Sequence, residues 1–363
     1  MPMFEKKNQA AQPLWESGRP FLIAEIGKNF IQTKEERPTA EYLENAKALI
    51  VLAKDAGADA VKFQTHRVED EQLPVPFEAP HFKGMDRYAW VKRNSEATPL
   101  SFWKALQRHA QELGIIFFST PMSRGAADLL EQVGVPFWKV GSGDLLDFVL
   151  LDYLASTKKP IILSTGMSTE AEIDKAVAFL KRRSVTPTLL HCVSKYPCPP
   201  DEQFLGTIAF LRDRFGVSAG FSSHSLEIES AVAAASLGAT VIEKHFSLSR
   251  ELFGADHKVS LLPHEFRAMV SRIRTGERVS PDAFGEGIKV MDVEEARFRP
   301  FFRKTLVYGQ DVKNGVQLEP NMIYAMRPQL GGMLPSERYE EVLRRRVRGD
   351  HAKYEPVREE DVQ

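Results

Sequence analysis

The chain has 363 residues, of which 43% are hydrophobic and 27% charged, with a formal net charge of -1. That is an ordinary globular composition, long enough for one large domain and a small one, and it gives no global electrostatic case for nucleic acid or an anionic membrane. No run of about 18 apolar residues is present, so no membrane-spanning helix is expected. The opening segment MPMFEKKNQAAQPLW lacks the apolar core of a signal peptide. Cys192 and Cys198 are close but not spaced as C-x-x-C, which suggests reduced thiols and a cytoplasmic setting. Arg344-Arg345-Arg346 reads as a solvated helix end.

Residues 1–20 read as an extended lead-in on the surface. Phe21 to Ile26 is a first strand with Glu25 near its C-terminal end, followed by Gly27 and a polar loop, Lys28 to Thr39. Ala40 to Ala56 has helical spacing, with Leu43, Ala46, Leu49, Ile50 and Ala53 on one stripe. Ala60 to Gln64 is a second strand, on which Lys62 and Gln64 share a face. Residues 65–98 form a long insertion rich in proline, histidine and aromatics, of the kind that serves as a lid or stays mobile.

Pro99 to Leu113 is helical, and Ile115 to Ser119 is a third strand ending in Ser119-Thr120-Pro121. Ser123 to Val133 is a helix, and Phe137 to Val140 a strand that runs into Gly141-Ser142-Gly143. Leu145 to Ser156 is a helix, Pro160 to Ser164 a strand, and Thr169 to Arg182 a helix. Thr188 to His191 is a strand, Phe204 to Arg214 a helix, and Val217 to Phe221 a strand leading to His224. A helix with Ile228, Ala231 and Ala235 on one stripe follows. Ala239 to Ile242 then ends in Glu243-Lys244-His245, and Pro263 to Arg274 is the last helix of the series.

Eight strands alternating with eight helices over about 250 residues indicate a (β/α)8 barrel, residues 1–276. A doubly wound sheet would more often carry a glycine fingerprint after its first strand, and Gly27 stands alone. Residues 277–300 read as a charged linker. Residues 301–363 read as a small module of short strands, with Thr305–Tyr308 and Gln317-Leu318 on either side of the Asn314-Gly315 turn.

Parallel-barrel strands end together on one face, so polar residues at those ends converge. They are Glu25, Lys62, Gln64, Ser119, Thr120, Lys139, Ser142, Ser164, His191, His224, Glu243 and His245. Two lysines among hydroxyls suit a phosphate or a carboxylate. His224 and His245, at equivalent ends of consecutive strands, suit one divalent ion with open positions. Mn2+ fits such a mixed nitrogen and oxygen shell, and Mg2+ or Co2+ remain alternatives. An imine formed on Lys62 or Lys139 is a rival chemistry.

Several segments occur in a familiar order: Ala24-Glu25-Ile26-Gly27, Val61-Lys62-Phe63-Gln64-Thr65, Ser119-Thr120-Pro121, Lys139-Val140-Gly141-Ser142-Gly143-Asp144 and Ser164-Thr165-Gly166-Met167. His191-Cys192, Tyr196-Pro197, Ser222 to Ser225 and Glu243-Lys244-His245-Phe246 follow. Together they resemble the N-acetylneuraminate (sialic acid) synthase family. Arg303-Lys304-Thr305-Leu306, Asp311 to Gly315 and Arg327-Pro328 resemble that family's antifreeze-like (SAF) domain.

The resemblance implies condensation of phosphoenolpyruvate with an N-acetylated aldose such as N-acetylmannosamine. The products would be a nine-carbon 2-keto-3-deoxy sugar acid and phosphate. It assigns a metal, usually Mn2+, to His224 and His245. It assigns phosphoenolpyruvate to Lys62, Thr120, Lys139, Ser142 and Ser164, and catalytic or orienting carboxylates to Glu25 and Asp256. Gln64, Asp144 and Tyr196 match sugar-side positions, and Ser194 stands where an asparagine often contacts the sugar. Arg327 matches an arginine sent into the sugar site of a partner, which implies a domain-swapped homodimer. The chain departs from the family at Lys28-Asn29-Phe30, where Asn-His-x-Gly is common, and at Ser223, which replaces an aspartate before the first metal histidine. A diacetamido sugar, giving a legionaminic- or pseudaminic-type acid, is the alternative acceptor. A non-catalytic sugar-binding barrel is the alternative class.

Overall fold

A computed structural model describes residues 13–16, 18–78 and 84–363. Its centre is a parallel sheet of β1 (Phe21–Gly27), β2 (Ala60–Thr65), β3 (Ile116–Pro121), β4 (Trp138–Val140), β5 (Ile161–Ser164), β6 (Thr188–Cys192), β7 (Ala219–Ser223) and β8 (Val241–His245). The strand order is β3-β2-β1-β8-β7-β6-β5-β4. Strand β1 pairs with both β2 and β8, so the first and last strands of the series meet. Strand β4 lies beside β3, which brings the sheet round into a nearly closed (β/α)8 barrel. Parallel neighbours require a crossover, and helices between successive strands supply it. The strands are buried on both faces and are apolar except toward their C-terminal ends.

Register turns that rule into a site. Glu25 on β1 pairs with Lys62 on β2 and with His245 on β8. Gln64 is level with Thr120, and Ser222 with Glu243. Side chains far apart in the chain therefore stand abreast at one mouth.

Several expectations need correction. Residues 1–12 and 17 lie outside the described residues, but Trp15 is not on the surface. It is 1% exposed, its Nε1 donates to Thr188 Oγ1 at 2.8 Å, and its ring packs edge-on against Phe137. Thr188 and Phe137 lie at the strands' N-terminal ends, so this indole plugs the barrel floor. The insertion is also ordered into helices, Val68–Glu71 and Arg87–Ala97, although residues 79–83 lie outside the described residues. In the helix Glu229–Ser236 the buried side is Ser230 to Ala234, not the stripe through Ile228 and Ala235, because an alanine-rich helix has no sharp apolar phase.

The linker carries a helix, Val293–Phe302, capped by Asp292. Its buried Glu295 accepts the backbone N–H of Ser194 at 2.7 Å and of Met167 at 3.2 Å, and pairs with Lys289 at 2.9 Å. A carboxylate holding two loop N–H groups fastens the linker across the barrel mouth.

In the C-terminal module, β9 (Thr305–Tyr308) pairs antiparallel with β10 (Ile323–Met326). The expected hairpin through Asn314-Gly315 does not form, and Gln317 bridges Arg346 instead. The module docks on its own barrel. Lys304 pairs with Asp147 at 2.6 Å and Asp144 at 3.0 Å. Arg303 donates to Met167 O and Ser168 Oγ. Arg327 N–H donates to Glu71 O, and Leu73 N–H to Arg327 O. Within the one chain described, Arg327 enters the mouth of its own barrel.

Candidate active site

A cavity open at its mouth sits at the C-terminal ends of the strands. Glu25, Lys62, Gln64, Thr120, Lys139, Ser142, Asp144, Ser164, Ser194, Tyr196, His224, His245, Asp256 and Arg327 all line it. The structure thus brings every predicted site residue to one place. Two strand-end residues, Ser119 and His191, are left out; Ser119 Oγ is hydrogen-bonded to Thr65 Oγ1 at 2.8 Å. His191 Nε2 faces Gln203 O at 2.5 Å, behind the cavity wall.

On one side, Lys62 Nζ lies 2.7 Å from Glu25, 3.0 Å from Thr120 Oγ1 and 3.6 Å from Glu243. Lys139 Nζ donates to Ser164 Oγ at 2.6 Å and lies 3.9 Å from Glu243. Glu243 thus bridges the two lysines and accepts Ser222 Oγ at 3.1 Å. Burial opposes the Glu243 charge, but Lys139 and Lys62 hold its carboxyl below the usual range. Burial pushes the Glu25 carboxyl up to about 7, with Glu243 adding to it and Lys62 opposing. One of two crowded carboxylates therefore carries its charge more readily than the other. Burial also works against the Lys62 charge, yet Glu243 and Glu25 raise it above the usual lysine range. Such an ammonium binds anions well and forms an imine poorly. Burial lowers Lys139, so the imine rival rests on that residue alone.

Glycines give this cluster its room. Gly27 has φ +56, and a Cβ there would stand 3.2 Å from Gln64 Nε2 and Glu25 Oε1 and 3.3 Å from Asp256 Oδ2. Gly166 donates its N–H to Ser142 Oγ, and a Cβ would collide with Ser194 Oγ and stand 2.7 Å from Ser142 Oγ.

The two histidine rings are 5.3 Å apart, and Tyr196 packs 4.0 Å from His224. His224 Nδ1 faces Val193 O at 2.9 Å, so that nitrogen donates and Nε2 keeps its lone pair. The carbonyl of Val193 orients this ring, and Ser223 bonds Ser225 and Gln203 instead. Ser223 therefore makes no hydrogen bond to His224 among the described residues. Burial holds His245 neutral, down to about 3, and its Nδ1 is buried with no hydrogen-bond partner among the described residues. Burial opposes a charge on His224, but Cys192 and the Val193 carbonyl raise it above the usual imidazole range; a divalent ion would take both rings in their neutral form. Among the described residues, no third His, Cys, Asp or Glu completes a metal cluster with them.

The opposite side is built from loops and the C-terminal module. Arg327 Nη2 donates to Asp144 at 2.6 Å, Nη1 lies 3.2 Å from Glu71, and Nε donates to Phe302 O. The same Asp144 oxygen also takes Lys304. Asp144, read as a sugar-side residue, is thus committed to joining barrel and module. Lys28, Arg87, Glu243, Phe298 and Phe302 also line the cavity and were not assigned roles from sequence. Glu243 was legible as a polar strand end. Lys28, Arg87 and the two phenylalanines lie in loop, insertion and linker, where no periodicity marks an inward side chain.

A model described as the NeuB family matches residues 49–285. The chain is 34% identical over 323 residues to N,N'-diacetyllegionaminic acid synthase of Campylobacter jejuni, covering 86% of this chain and 94% of that one. It is 34% identical over 263 residues to N-acetylneuraminate-9-phosphate synthase of Homo sapiens, covering 71% and 70%. Among solved structures it is similar to the spore coat polysaccharide biosynthesis protein spsE of Bacillus subtilis, with TM-score 0.76, 28% identity and 95% of each chain covered.

Proposed function

This chain belongs to the NeuB family, and on that premise we propose that it joins phosphoenolpyruvate to an N-acetylated aldose of the N-acetylmannosamine type. The observation that carries the reading is the pair Lys62 and Lys139, both buried at the strand ends with Thr120, Ser142 and Ser164 beside them. A highly charged phosphate ester with a carboxylate matches two cations and three hydroxyls better than a neutral sugar does. C3 of the enolpyruvate bonds to the aldehyde carbon, water adds at C2, and the bond from C2 to the phosphate oxygen breaks. Inorganic phosphate leaves, and the product is a nine-carbon 2-keto-3-deoxy acid.

In this scheme Lys62 and Lys139 neutralise the phosphate and carboxylate. Their charge is shared with Glu25 and Glu243 before the substrate arrives. Gln64 and Asp256 stand near Glu25 on the acceptor side, where they orient hydroxyls. Tyr196 supplies an aromatic wall against His224. His224 and His245 would hold Mn2+, Mg2+ or Co2+, which when bound polarises the acceptor aldehyde. We read the C-terminal module as antifreeze-like and its role as closing the acceptor side through Arg327.

The test is loss of phosphoenolpyruvate with release of phosphate, measured with N-acetylated hexoses and with chelator or added Mn2+. Turnover should require both sugar and ion. Full activity after exhaustive chelation would remove the metal from the scheme, and no turnover with any N-acetylated sugar would remove the synthase reading. A diacetamido hexose is the second acceptor to try. The alignment to the legionaminic acid synthase, which spans 94% of that protein, favours including it.

A further inference from the structure

Arg87 is 8% exposed and lines the cavity, yet among the described residues its guanidinium has no acceptor within hydrogen-bond or ion-pair distance. Buried arginines are normally paired, because an unpaired one loses its hydration without compensation. The carboxylates that could serve it are occupied. Glu71 is shared by His66 at 2.7 Å and Arg327 at 3.2 Å. Asp144 is shared by Arg327 and Lys304. Glu25 is shared by Lys62 and Gln64. Asp256, on the same wall, lies next to Glu25 and Gln64 around Gly27.

Arg87 is also held in place. It is the first residue of the helix Arg87–Ala97, whose cap Asp86 accepts from Ala89 N. Its own N–H donates to Phe77 O, and Phe77 stacks on Phe301 with centroids 5.7 Å apart. The guanidinium carbon is 6.0 Å from the Phe302 ring centre.

Beside it stands a second cation. Lys28 Nζ donates to Gln64 Oε1 at 2.6 Å and has no carboxylate within ion-pair distance among the described residues. Lys28, Arg87 and Asp256 also line a recess that opens beside the main cavity, walled by Trp90, Phe253 and the Gly254-Ala255 backbone. Burial depresses both cations; Asp256 and Glu71 oppose that depression for each, while Arg87 adds to it for Lys28 and Arg327 for Arg87. Lys62 and Lys139 have carboxylates within ion-pair distance; among the described residues, Lys28 and Arg87 have carboxylates only farther off.

We propose that Arg87 and Lys28 form an anion clamp on the acceptor side, and that the acceptor sugar carries a negatively charged substituent remote from its aldehyde. A guanidinium fork accepts either a phosphate monoester or a carboxylate, and both sources satisfy the same geometry. The inference rests on the synthase reading above and narrows its acceptor.

The experiment uses the full chain with Mn2+ and phosphoenolpyruvate, and follows the loss of enolpyruvate absorbance. The acceptors are N-acetylmannosamine, its 6-phosphate and its 6-carboxylate. One anionic acceptor should exceed the neutral parent in kcat/KM by about tenfold or more. Preference for the phosphate identifies a phosphate subsite, and preference for the carboxylate a carboxylate subsite. Arg87→Gln should bring the ratio of anionic to neutral acceptor close to one, through the KM of the acceptor, without moving the KM of phosphoenolpyruvate. Lys28→Gln should move the ratio the same way by less, and Arg87→Lys should restore part of it. Turnover with the neutral sugar at equal or greater efficiency keeps the synthase reading and overturns the clamp. So does an anion preference that survives both Arg87→Gln and Lys28→Gln, or a loss confined to phosphoenolpyruvate. No turnover with any acceptor overturns both.

Discussion

The two sides of the cavity are made differently. The side proposed for phosphoenolpyruvate is a product of strand register: Glu25, Lys62, Lys139, Ser164 and Glu243 come from strands whose ladders fix them, and each charge meets an opposite one. The opposite side, proposed for the acceptor, comes from a loop, an insertion helix, a linker helix and the C-terminal module, and among the described residues its Arg87 has no carboxylate within ion-pair distance. The contrast teaches where a family's shared chemistry and its specificity reside. Rigid strand ends serve the substrate that all members would use, and loops serve the one that varies.

The largest expected effect tests the strand-built side. Lys62→Ala should weaken phosphoenolpyruvate binding by about 2–5 kcal/mol, because the substrate loses a buried cation and Glu25 and Glu243 lose their counter-ion. Calorimetric titration of the ligand measures it. A loss below about 1 kcal/mol would mean that this side is not the phosphate site.

A smaller effect tests the module-built side. Arg327→Ala should raise the acceptor KM by about 1–3 kcal/mol in equivalent free energy while leaving phosphoenolpyruvate affinity in place. Because Arg327 enters its own barrel, mixing Arg327→Ala chains with Lys62→Ala chains should give only the sum of the two weak activities. Recovery toward roughly a quarter of wild type, with random subunit exchange confirmed by mass, would show that the arginine crosses to a partner.

The smallest effect is a pH dependence that belongs to the strand-built side. Glu25 is pushed up to about 7, so below that pH it is neutral and leaves Lys62 to the incoming anion. As pH rises through about 7 it ionises and competes for Lys62. Phosphoenolpyruvate affinity should therefore fall on the alkaline side by less than about tenfold. Glu25→Gln should remove that fall, and an unchanged profile in the variant would assign the titration elsewhere.

The strand-built half was legible because a parallel barrel delivers strand C-termini to one face. Finding Lys62, Lys139, His224 and His245 at successive ends was therefore almost the same as finding them together. Trp15 illustrates the limit. A single indole in a polar lead-in carries no periodic signal, and only its place beneath Thr188 and Phe137 shows that it seals the floor.

The sequence by itself determined the barrel, the convergence of the strand-end residues and the family, because alternation of strand and helix leaves the chain few ways to close. Three-dimensional packing was needed to learn that the linker is a helix latched by Glu295, that Asp144 joins barrel to module through Arg327 and Lys304, and that Arg87 is buried with no carboxylate in ion-pair distance among the described residues. Those outcomes depend on which of several compatible charges meet. That choice is made by packing between segments remote in the chain, through hydrogen bonds and desolvation that no local pattern encodes.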